Sequence, residues 1–143
     1  MNLRFTRILP LLIVTAILSV GCGQNIGDSI ARSHIEANVP DEKDFSEFLI
    51  RDLQAYFRDT LKKTVRAEYE LLREAPTQSG VAYPKFYAWV RVFIDDRLFE
   101  EGAVRVAAVE KTHFEITDYL SKHDIQEKPA AVETIFPQAL VES

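Results

Sequence analysis

Between Asp41 and Lys63 the apolar residues Phe45, Phe48, Leu49, Leu53, Tyr56, Phe57 and Leu61 recur at intervals of three, four and one. That spacing gathers them into one stripe, which predicts a core-facing α-helix over 41–63. Asp41, Glu42, Asp44 and Glu47 crowd its start and Lys62 and Lys63 its end, as the helix macrodipole favours. Glu47 with Arg51, and Asp59 with Lys63, are acid-before-base pairs four apart on the outer face.

From Thr64 the period falls to two, and four strands follow. Val65, Ala67, Tyr69 and Leu71 alternate with Arg66, Glu68, Glu70 and Leu72. Ala75 to Pro84, with two prolines and a glycine, is a loop. Lys85 to Asp95 sets Phe86, Ala88, Val90, Val92 and Ile94 against Tyr87, Trp89, Arg91 and Phe93. Being apolar on most of both faces, this strand belongs in the middle of the sheet. Asp95-Asp96-Arg97 supplies a turn. Leu98 to Glu110 carries Val104, Val106 and Ala108 opposite Ala103, Arg105, Ala107 and Val109, with Gly102 marking a bulge or bend. Thr112 to Leu120 places Phe114, Ile116 and Leu120 opposite His113, Glu115, Thr117 and Tyr119, although a helix from Glu115 onward also fits. Ser121, with Asp124 three residues later, opens a short helix, and Pro129 opens another that Pro137 ends. Ile125, Val132, Ile135, Phe136, Leu140 and Val141 give this tail something to bury.

The expected fold is therefore α+β: one long amphipathic helix on a roughly four-stranded antiparallel sheet, with short C-terminal helices. The element order over about 41–120 resembles cystatin-like sheets that grip a helix and, more distantly, nuclear-transport-factor-2-like cones. No motif stands behind that resemblance, which implies a shape and no chemistry.

The first residues carry a different signal. Arg4 and Arg7 precede an uncharged run from Ile8 to Val20, and small residues lead into the only cysteine, in Ser19-Val20-Gly21-Cys22. A helix of those 13 residues rises about 20 Å, short of a ~30 Å hydrocarbon core, so the run suits export better than a permanent span. With its cysteine, the segment resembles bacterial lipoprotein precursors, with Ser19 where leucine is usual. The resemblance implies cleavage before Cys22, a diacylglycerol on its thiol and acylation of its new amino group. Gly23 in place of aspartate implies release to the outer membrane, facing the periplasm. Cleavage elsewhere would leave a free thiol, and no cleavage a short anchor. The domain division expected is a signal peptide over 1–21, a lipid-anchored tether over 22–40 and one α+β domain over 41–143. The tether is polar with scattered isoleucines, and Asp28 to Ala37 allows a short helix.

Charge narrows the partners. The chain has 17 basic and 22 acidic residues for a formal charge of −5, and loss of Arg4 and Arg7 with the leader takes it to −7. That argues against nucleic acid, and leaves the membrane, through the lipid, and another envelope protein as expected partners. With one cysteine no internal disulfide can form.

No catalytic constellation, metal set or cofactor motif emerges. His113 and Glu115, two apart on one strand, fall short of the three or four ligands of a zinc site. Asp95-Asp96 and Glu100-Glu101 read as turn and solvent residues, and His34 and His123 as exposed. The candidate function lies on the sheet face away from the helix, where Tyr87, Trp89, Arg91, Arg105, His113 and Tyr119 mix aromatic and cationic groups of the kind enriched at interfaces. Part of that face is expected to lie under the C-terminal tail. The favoured reading is a non-catalytic interaction module, and the alternative is a ligand-binding or enzymatic domain with a pocket between helix and sheet.

Overall fold

A computed structural model describes residues 37–80 and 82–141. The expected leader, the expected lipidation site Cys22 and most of the expected tether, His34 included, lie outside the described residues. Helix α1 is Glu42–Leu61, strands β1 to β4 are Arg66–Leu71, Lys85–Ile94, Arg97–Glu110 and His113–Ser121, and helices α2 to α4 are Lys122–Glu127, Pro129–Ile135 and Gln138–Val141. The strands form one antiparallel meander in the order β1-β2-β3-β4.

The stripe of α1 does what its spacing demands. Leu49, Leu53 and Phe57 are fully buried against Ala67, Phe86, Ala88, Val90, Val92, Val104, Val106, Ala108 and Phe114 of the sheet. Phe45 meets Phe86 and Phe114 edge-on, with both centroid separations at 5.0 Å, and such pairs add about 0.5–1.5 kcal/mol each beyond area burial. The outer-face pairs differ from expectation. Arg51 turns from Glu47 to Asp52 and to the Thr112 carbonyl, and Lys63 sits over the Phe99 ring.

The β2–β3 hairpin closes on Asp95 and Asp96, both with positive φ, 49° and 59°. Two left-handed residues in a two-residue loop make the turn whose twist matches the strands, and aspartate tolerates that conformation. Gly102 is needed for close approach and not for a bulge: a Cβ there would lie 2.2 Å from the Leu120 carbonyl oxygen. The register shifts fall elsewhere, with Phe99, Val109 and Thr117 each the extra residue on its strand.

The shift at Thr117 has the largest consequence. Arg105 pairs with Asp118 but Val106 pairs with Ile116, so the in-and-out alternation of β4 reverses after Ile116. Phe114 and Ile116 face α1, and so does Tyr119, whose ring stands edge-on to Phe57 at 4.9 Å. Leu120 moves to the far face, where α2 to α4 build a second apolar layer: Tyr87, Ala103 and Phe136 are buried there with Trp89, Ile125, Val132, Ile135 and Leu140 packed around them.

Candidate interaction surface

Four of the six residues singled out from the sequence share the far face: Tyr87, Trp89, Arg91 and Arg105. The C-terminal helices occupy three of them. Tyr87 is buried, tilts against Phe136 at 5.8 Å and shares a 2.8 Å hydrogen bond with the Thr77 hydroxyl. Trp89, the only tryptophan, is half-buried and donates from its indole nitrogen to Glu101 at 3.3 Å. Arg105 holds Asp118 through Nε at 2.7 Å and Nη2 at 2.6 Å, and donates from Nη1 to the Ile135 carbonyl at the end of α3. A guanidinium on the last carbonyl of a helix satisfies an acceptor that the helix leaves open. Only Arg91 remains exposed, 4.0 Å from Glu70.

Tyr119 and His113 lie elsewhere. The register reversal carries Tyr119 under α1, where burial, followed by the negative charge of Glu100, pushes its phenol well above its usual pKa. At the head of β4, His113 turns its Nδ1 to Asp52 of α1, 3.2 Å away. Asp52 is a residue that the pattern of the sequence passed over. It is only 7 % exposed, and its Oδ2 also accepts the Phe114 backbone N–H at 2.7 Å, with Arg51 on its other side. The signal was an acid standing between Leu49 and Leu53 on the buried stripe, where a carboxylate requires partners.

The tail is fastened by charge at its start. Ser121 caps α2: its hydroxyl accepts from the Asp124 N–H at 3.1 Å and donates to Asp124 Oδ2 at 2.7 Å. Those bonds, followed by Lys128, hold the Asp124 carboxyl below its ordinary value. Glu101 is held low by Lys122 first and by Trp89 second. Since both pKa values are depressed in the folded chain, these contacts stabilise fully at neutral pH. Their contribution is lost as the pH falls below the ordinary values, 4.5 for Glu101 and 3.8 for Asp124, and through the depressed ones. Trp89 emission is therefore expected to shift to the red on acidification before the far-UV signal of α1 and the sheet changes. Emission that moves only together with that signal would show that Glu101 does not hold the tail.

Hollows open on the described surface. One, of about 380 Å³, lies between the start of β3 and α2, floored by Leu98 and Phe99 and edged by Glu101, Lys122 and His123. Another, of about 470 Å³, lies between the first turns of α1 and the edge of the sheet, walled by Phe45, Tyr69, Leu71, Pro76 and Phe86, with Glu42, Ser46 and Glu74 at the rim. Neither is lined by His113, Arg105 or Trp89. Among the described residues no group of three or more His, Cys, Asp and Glu is placed to hold a metal ion, and no helix is long and apolar enough to cross a membrane. No protein-family model matches the chain, and no curated protein or solved structure matches it either.

Proposed function

We propose that this chain is a lipid-anchored protein of the bacterial cell envelope, held in the outer membrane by acyl chains on Cys22, facing the periplasm, and acting there without catalysis by binding another envelope protein. The observation that carries the reading is the order of the first 22 residues: two arginines, an uncharged run too short to span, small residues and the lone cysteine. A helix-and-sheet body starting at Glu42 supports it, because the stretch 23–41 then separates that body from the acyl chains on Cys22. More than one acyl chain supplies durable anchoring that a single chain does not. The net negative charge of the body favours a protein partner over nucleic acid.

Growth with labelled palmitate tests the anchor. The full chain is expected to take up label and sediment with membranes, and Cys22→Ser to lose the label while retaining its leader. Unlabelled wild-type chain free of membranes would overturn the proposal. The alternative, a small-ligand domain, has one observation in its favour: the 470 Å³ apolar hollow between α1 and the sheet falls in the size range of ligand sites.

A further inference from the structure

The sheet has two unlike edges. At β4 the outermost groups are engaged from the start of the strand: the Phe114 N–H donates to Asp52, Arg51 donates to the Thr112 carbonyl in the preceding turn, and the Thr117 bulge breaks the line further on. Bulges and covering groups of this kind are how proteins blunt an edge strand.

β1 carries no bulge. Among the described residues it pairs only with β2, and its register is regular from Arg66 to Leu71. The Leu72 N–H donates to the Tyr87 carbonyl, and in an antiparallel ladder the pairing groups alternate. Arg66, Glu68 and Glu70 therefore bond to β2, while Ala67, Tyr69 and Leu71 turn their N–H and C=O groups to the outer edge, where Ala67 is covered, at 3 % exposure, and Tyr69 and Leu71 are half-buried. The side chains of those three residues point to the α1 side, and two of them, Tyr69 and Leu71, wall the 470 Å³ hollow. No inward charge, proline or bulge interrupts this edge.

A strand added here would meet two complementary features together. Its backbone would pair with Tyr69 and Leu71, and a side chain on its α1 side would enter the hollow beside Phe45 and Phe86. The charged residues lining that hollow are Glu42 and Glu74, and both are exposed. Neither Lys43 nor Arg73, the bases adjacent to them in sequence, lines it. The electrostatic complement is a cation on each side of the apolar anchor.

We propose that the β1 edge and its hollow form the docking site for an extended peptide segment of an envelope partner, one that carries a large apolar side chain between lysines or arginines. The inference rests on the interaction-module reading and moves its surface from the Trp89 face to the β1 edge on the α1 side of the sheet. The segment adds as a fifth strand, its apolar side chain fills the hollow, and its cations face Glu42 and Glu74.

The test uses the full chain and two synthetic peptides, Lys-Val-Phe-Val-Lys and Glu-Val-Phe-Val-Glu, followed by fluorescence anisotropy and amide hydrogen exchange. The basic peptide is expected to bind at least tenfold more tightly than the acidic one and to slow exchange at Tyr69 and Leu71. The double variant Glu42→Lys, Glu74→Lys, altered only at exposed positions, is expected to reverse the preference and, having lost an acid from the first turn of α1, to melt no more than a few degrees lower. Equal binding of the two peptides, protection elsewhere, pairing of β1 with a second copy of the chain, or displacement of the peptide by free palmitate would overturn the proposal. A photo-crosslinker at Arg91 that captures an envelope protein, where one at Glu74 captures none, would also overturn this site and leave the interaction-module reading standing.

Discussion

Replacing Gly102 by alanine is expected to destabilise the fold by about 3 kcal/mol or more, at the upper end of what overpacking costs. The added methyl would stand 2.2 Å from the Leu120 carbonyl oxygen and 2.8 Å from the Ser121 Cα, both main-chain atoms that no rotamer change can move. β3 and β4 must part to admit it. In a domain of about 100 residues, ~1 kcal/mol is worth roughly 4–8 °C, so the melting temperature should drop by more than about 12 °C. Amide exchange should rise first in β4 after Asp118. Gly80→Ala is the contrasting case: open space surrounds that position and only its φ of 57° opposes a side chain. A loss there of about 1 kcal/mol is expected. Equal losses at the two sites would mean that the β3–β4 approach is not tight.

Asp52→Ala should cost about 2–3 kcal/mol, since it strands the buried Phe114 N–H and removes the carboxylate that Arg51 and His113 address. Asp52→Asn keeps an acceptor for the Phe114 N–H while losing the charge, and should fall between wild type and alanine. Chemical denaturation with an unchanged slope would measure both. If asparagine proved as damaging as alanine, the charge on Asp52, and not the backbone bond, would be its main contribution.

How far the sequence reveals this fold varies from element to element. The helix expected over 41–63 is Glu42–Leu61, and the strand expected from Lys85 ends at Ile94, because a seven-residue apolar stripe and a ten-residue alternation leave little room for another period. Capping of α2 by Ser121 was equally legible, since it depends on residues three apart. The parity of β4 was not. Phe114, Ile116 and Leu120 alternate regularly in the sequence, yet Leu120 lies on the face opposite the other two, because one unpaired residue at Thr117 is invisible in a pattern of apolar positions.

The candidate surface failed to emerge whole for the same reason and for one more. Tyr119 changed face with the register, and His113 was drawn to Asp52 by a contact that spans 61 positions of chain. The aromatic residues Tyr87 and Trp89 were visible, and so were Phe136 and Ile135, but nothing in either segment says that the two bury each other. The hollow at the β1 edge is a product of Phe45, Tyr69, Pro76 and Phe86 meeting from four segments, and such a meeting has no local signature.

The placement of the C-terminal helices has a bearing on turnover. Helices α2 to α4 act as a lid glued over greasy side chains, so a protease cut near Lys128 would unmask Tyr87, Trp89, Ala103 and Leu120 together. A damaged molecule would thus advertise itself with a sticky patch while its helix and sheet still stood, giving cellular quality control something to recognise before the fold collapsed.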